Sequence, residues 1–147
     1  MTAKLFETPK HLERESRAIK LWTRNLPEGS YEKLGGFDID FRVYSHKTGT
    51  YAYVEVKGRH RYIDKAFPLP IAARKLVKIH DLLKNDPKTD KAFIIWACED
   101  GIIAGDIEDL IGRVNIGGRY DNRKDAANDI EVMVEYDTQS SFKKTMY

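Results

Sequence analysis

Four carboxylates and a lysine are spaced so that they could serve one site. The stretches Gly35-Gly36-Phe37-Asp38-Ile39-Asp40-Phe41-Arg42-Val43-Tyr44 and Tyr51-Ala52-Tyr53-Val54-Glu55-Val56-Lys57-Gly58-Arg59 each alternate with period two around Thr48-Gly49, which predicts a β-hairpin. In it Asp38, Asp40 and Arg42 leave one face of the first strand, and Tyr53, Glu55 and Lys57 leave one face of the second. A fourth acid, Glu15, stands upstream among the apolar residues Leu12, Ile19 and Trp22. A hard divalent cation is held by a few carboxylates together with water and substrate phosphate. A lysine beside such acids can orient or help deprotonate a water, or counter charge developing on phosphorus. The set therefore suits phosphodiester hydrolysis. It equally suits a surface salt-bridge ladder, and spacing alone leaves both readings open.

Several elements must position these groups. Pairing Tyr44 with Tyr53 puts Arg42 opposite Glu55 and Asp40 opposite Lys57; the parity matters more than the offset, because a one-residue slip would send the acids to opposite faces. Thr8-Pro9 reads as an N-cap followed by proline at the first helical position, with a helix running to about Arg24. A carboxylate on its apolar stripe, as Glu15 is, must lie at a rim, be paired, or occupy a polar site between elements. Asn25 to Leu34 reads as a loop. After Pro68 and Pro70 a helix is expected from about Ile71 to Lys84, with Ala72, Leu76, Ile79 and Leu83 inward and Lys75 on the stripe's edge. The apolar run Lys91 to Cys98 reads as a buried strand, so this helix is a crossover and the sheet is covered on both faces. Ile102 to Ala104 continues as strand, Ile107 to Arg113 as a short helix, Asn115 to Asp129 as a loop, and Ile130, Val132, Val134 and Tyr136 as the inward positions of a last strand.

With 147 residues, 41% of them hydrophobic and 33% charged, the chain fits one soluble domain. No apolar run approaches the ~20 residues of a membrane helix, and the lone Cys98 cannot form an internal disulfide, so an intracellular, cytoplasmic setting is expected. The net charge of +2 hides a division: Lys57 to Lys91 carries ten Lys or Arg against four Asp, whereas Glu99 to Asp137 carries eleven acids against four Lys or Arg. A local basic field is compatible with this balance. The four histidines are dispersed without zinc spacing, and Gly35-Gly36 and Gly117-Gly118 lack the Lys-Ser/Thr of a phosphate-binding loop.

In Glu15, Asp38 and Glu55-Val56-Lys57, taken in that order, the chain resembles the PD-(D/E)XK nuclease superfamily over roughly Pro9 to Ala97. The proline of the family's name is Phe37 here. The Gln-x-x-x-Tyr element of the RecB-like branch is absent, because Gln139 is the only glutamine; small resolvase-like, restriction-like and phage-type nucleases remain. The resemblance implies an α/β fold with a central mixed sheet flanked by helices and a restriction-endonuclease-like core of helix, antiparallel hairpin, crossover helix and strand. It implies that Asp38 and Glu55 hold Mg²⁺ or Mn²⁺, that Glu15 joins them directly or through water, and that Lys57 positions the attacking water. Asp38 is preferred because the family's acid commonly follows an apolar residue; Asp40 has the same face and could replace it. Lys75 resembles a phosphate-reaching residue of the crossover helix, and Arg59, Arg61 and Lys78 are further candidate DNA contacts. The implied activity is a metal-dependent DNA endonuclease, with a homodimer as the arrangement that presents two sites. A nucleic-acid-binding or assembly subunit that keeps the fold without cleaving is the alternative.

Overall fold

Two strands that pair in parallel, β3 (Thr50–Gly58) and β5 (Thr89–Ala97), lie at the centre of the larger of two sheets. The computed structural model describes residues 9–24, 29–34, 39–45, 48–117 and 131–147. Along this sheet the order is β1 (Gly29–Lys33), β2 (Phe41–Ser45), β3, β5, β6 (Gly101–Asp106) and β9 (Lys143–Met146), with every pair except β3–β5 antiparallel. The smaller sheet has the order β4 (Leu69–Ala72), β8 (Glu131–Tyr136), β7 (Arg113–Gly117).

Strand alternation divides the core. Val54 and Val56 of β3 and Ile95 and Ala97 of β5 face α1 (Pro9–Arg24), meeting its Ala18, Ile19 and Leu21 together with Phe41 and Val43. The intervening Tyr53, Ile94 and Trp96 face α2 (Ala73–Asn85) and the small sheet, meeting Ile79, Leu69, Ile71 and Tyr136. Residue period two in the strands thus assigns each helix its own face. The fully buried Trp96 satisfies its indole N–H on the Pro70 carbonyl at 2.9 Å, as a buried ring with a polar edge must.

The expected fold class is observed, with local corrections. The hairpin is shifted by two residues: Tyr44 faces Tyr51, Arg42 faces Tyr53 and Phe41 faces Val54. Parity is kept, and the tyrosine pair packs at 4.7 Å between ring centroids. Leu12 is 43% exposed, and the buried residues of α1 begin only at Ala18. Ile71 and Ala72 belong to β4, paired with Val134 and Met133, so α2 begins at Ala73. Between Ile107 and Arg113 there is only a 3₁₀ turn at Ile107–Asp109, in which the Asp106 carboxylate accepts the Glu108 N–H. β1 lies in the stretch expected to be a loop, and β7 and β9 were not expected. Thr8, Asp38, Ile130 and most of the 115–129 loop lie outside the described residues.

Candidate active site

The site forms where β3 outruns its neighbour. Pairing of β2 with β3 ends at Phe41 and Val54, which leaves the next inward N–H of β3, that of Val56, in need of an acceptor. The Asp40 carboxylate supplies one, with Oδ2 accepting from Val56 N at 2.8 Å. A side chain thus continues the hydrogen-bond ladder for one more step, and that bond fixes the carboxylate between the two helical layers. Glu55 and Lys57 follow on the α2 face, and the exposed half of α1 brings Glu15 from the other side. Glu15, Asp40, Glu55, Lys57 and Lys75 all line one cavity, with Arg14 and His60 at its margin.

Two lysines pair with these acids. Lys33 of β1 donates to both oxygens of Glu15 at 2.8 and 3.0 Å and approaches Asp40 Oδ1 at 3.5 Å. Lys75 pairs with Glu55 Oε2 at 3.3 Å. Glu55 is 6% exposed, and its other oxygen, Oε1, is buried with no hydrogen-bond partner among the described residues. Such a group costs free energy unless something else engages it. Burial first, then the Asp40 charge, pushes the Glu55 pKa up to about 7, against the opposing pull of Lys75. Glu15 is also raised to about 7, first by burial and then by its proximity to Asp40, with Lys33 opposing. Among the described residues no three His, Cys, Asp or Glu side chains already stand around one metal point. The donor set nevertheless fits a hard divalent ion: carboxylate oxygens, one of them buried and unpaired among the described residues.

The structure brings Glu15, Asp40, Glu55, Lys57 and Lys75 together. Asp38 lies outside the described residues. Lys57 is exposed and makes no ion pair among the described residues. Arg59 turns inward: Nε donates to the Ala66 carbonyl at 2.9 Å and Nη2 to the Pro68 carbonyl at 3.1 Å, next to the cis Phe67–Pro68 bond. These bonds give it a task in holding the chain rather than in reaching outward. Arg61 is exposed and Lys78 half-buried on α2. Sequence reasoning missed Lys33, whose strand is short, polar and exposed throughout, and Arg14, which carries no motif. Only the spacing of Arg14 from Glu15, one step round the helix, could have drawn attention to it.

Helix, antiparallel hairpin, crossover and parallel strand are the core of a PD-(D/E)XK nuclease. A family model described as "Phage putative PDDEXK endonuclease" matches residues 1–145, and the chain belongs to this endonuclease family. No curated protein matches it. Among solved structures it is similar to Hjc, a Holliday junction resolvase of Archaeoglobus fulgidus, at 14% identity and a TM-score of 0.51, over 68% of this chain and 77% of that one.

Proposed function

We propose that the protein is a metal-dependent DNA endonuclease, built as one domain, that hydrolyses phosphodiester bonds with an activated water. The observation that carries this reading is the grouping of Glu15 of α1, Asp40 just before β2, and Glu55 and Lys57 of β3 on one open cavity, with Glu55 Oε1 unpaired among the described residues. In this reading Asp40 and Glu55 hold Mg²⁺ or Mn²⁺, Glu15 joins them directly or through water, and Asp38 is a further candidate ligand. The cation would supply Lewis acidity at the phosphate and lower the pKa of a water. Asp40 is kept in position by the Val56 N–H, and Lys75 holds the outer oxygen of Glu55. Lys57, which lines the cavity, would orient the attacking water and offset charge on the phosphoryl oxygens. DNA as substrate is supported by the basic residues around the cavity and by likeness of fold to a protein named for resolving Holliday junctions.

Supercoiled plasmid and a four-way junction, incubated with Mg²⁺, test this against Glu55→Ala and Lys57→Ala. Wild type should nick or cut, and each variant should lose at least ~100-fold in rate, the usual scale for removing a positioned charged group. Equal activity in all three proteins would remove the proposal. The alternative, a DNA-binding subunit without cleavage, predicts salt-dependent binding that ignores metal and survives Glu55→Ala. Sedimentation of the protein alone and on the junction measures whether two copies act together.

A further inference from the structure

A second cavity, of about 240 Å³, adjoins the first, and Arg14 and His60 line both. Its wall on α1 carries Lys10, Arg14 and Arg17, residues at i, i+4 and i+7 that share one helix face. Opposite stand the ends of β3 and β5 and the ring of Tyr147. Gly58, the residue after Lys57, lines the first cavity. A Cβ there would lie 2.5 Å from Arg14 Nη1, so the guanidinium rests directly on that backbone and any side chain at 58 would displace it. Arg17 is held differently, its Cζ stacked 3.7 Å from the centroid of the Tyr147 ring. Neither arginine is paired with a carboxylate among the described residues. Glu13 and Glu99 also line the cavity, and Glu99 stands 4.0 Å from His60. Burial raises the pKa of the Cys98 thiol to about 11, so the cysteine contributes a neutral wall and no thiolate.

Two guanidiniums preset by backbone and by ring, neither paired with a carboxylate among the described residues, suit an oxyanion such as phosphate, which a guanidinium can bind bidentately. Seven residues of helix rise about 10 Å, and successive phosphates of one strand rise about 3.4 Å each; Lys10 to Arg17 therefore tracks about three phosphates. Resting on the nuclease reading above, we infer that this cavity is a backbone subsite. It holds the phosphates that flank the scissile one on the same strand, Arg14 taking the nearest and Arg17 and Lys10 those beyond. One helix then performs two tasks, since Glu15 faces the cleavage site while its neighbours seat the strand.

The test is equilibrium binding of a fluorescein-labelled 20-mer duplex in EDTA. The proteins compared are wild type, Arg14→Ala, Arg17→Ala, the double variant and Lys88→Ala, an exposed control remote from the cavity, all shown by circular dichroism to be folded. Each arginine variant should bind about tenfold more weakly at 100 mM salt, and each should lower the slope of log K against log salt by about 0.9, the value for one phosphate contact. Mn²⁺ affinity by calorimetry should stay unchanged in Arg17→Ala. Unchanged DNA affinity and slope in the double variant, or a loss matched by Lys88→Ala, would overturn the inference even if wild type cleaves. Arginine-dependent binding by a wild type that does not cleave would sustain the subsite and remove the cleavage reading. A wild type that fails to bind at ~50 mM salt overturns the subsite.

Discussion

At the scale of single residues, the candidate site is a contest between carboxylates and the cations that balance them. Lys33 is 38% exposed where it pairs with Glu15, and an exposed pair of this kind is worth ~1 kcal/mol at most. A divalent ion arriving between Glu15 and Asp40 has to displace that ammonium. Lys33→Met should therefore tighten Mn²⁺ binding by up to about fivefold, the equivalent of ~1 kcal/mol, as read by titration calorimetry. Weaker binding in the variant would show that Lys33 orients the acids instead of competing for them. Lys75 differs, because its partner Glu55 is buried. Removing it would leave a buried carboxylate uncompensated, a larger cost than losing an exposed pair.

At the scale of elements, the grouping of Glu15, Asp40, Glu55 and Lys57 on one cavity was more legible than the bounds of the strands. Glu55-Val56-Lys57 and the helical Glu15 announce themselves because an acid on an apolar stripe or beside a buried strand demands a reason. The parity of the hairpin was also readable, since two alternating runs fix which residues share a face. Its offset was not: four loop residues separate the paired Ser45 and Thr50, and nothing in Thr48-Gly49 selects that length over a longer one. The strands β1 and β9 stayed hidden because short, polar edge strands lack the alternation that a buried face imposes; β7, Arg113-Val114-Asn115-Ile116-Gly117, does alternate but is too short to stand out from the charged stretch that follows it. α2 was read two residues too early because Ile71 and Ala72 satisfy a helical stripe as well as a strand, and only pairing with β8 decides between them. Edge strands still carry stability. A Cβ on Gly101 would collide with the Thr145 carbonyl and the Met146 Cα of β9, a backbone obstacle that cannot swing aside. Gly101→Ala should cost about 1–3 kcal/mol and lower the melting temperature measured by differential scanning calorimetry.

At the scale of the whole molecule, Glu15 and Glu55 tie stability to pH. Each has a folded pKa of about 7 against the ordinary glutamate value of 4.5. Between those values the native chain keeps protons that the unfolded chain has released, so stability of the metal-free protein falls as pH rises through this window. Above about pH 7 the whole penalty is present; below about pH 4.5 it is absent. Glu55→Gln cannot ionise and its amide oxygen can still accept from Lys75. In EDTA, thermal unfolding should show the variant gaining on wild type as pH climbs from 5 to 8, by ~1 kcal/mol or more at the upper end, while losing cleavage. A wild type whose melting temperature rises over that interval by as much as the variant's would contradict the shifts. Metal binding needs these acids deprotonated, so it should strengthen over the same range.

The bond from Val56 N–H to Asp40 also makes the site visible to spectroscopy. An amide proton aimed at a carboxylate oxygen is deshielded, and its resonance responds when that carboxylate takes on a new charge partner. In a ¹⁵N-labelled sample the Val56 cross-peak should move on titration with Mg²⁺ while amides along β9 stay in place. An unmoved Val56 peak at saturating Mg²⁺ would take Asp40 out of the ligand set. Because the donor belongs to the main chain, this reporter needs no probe attached and no residue replaced.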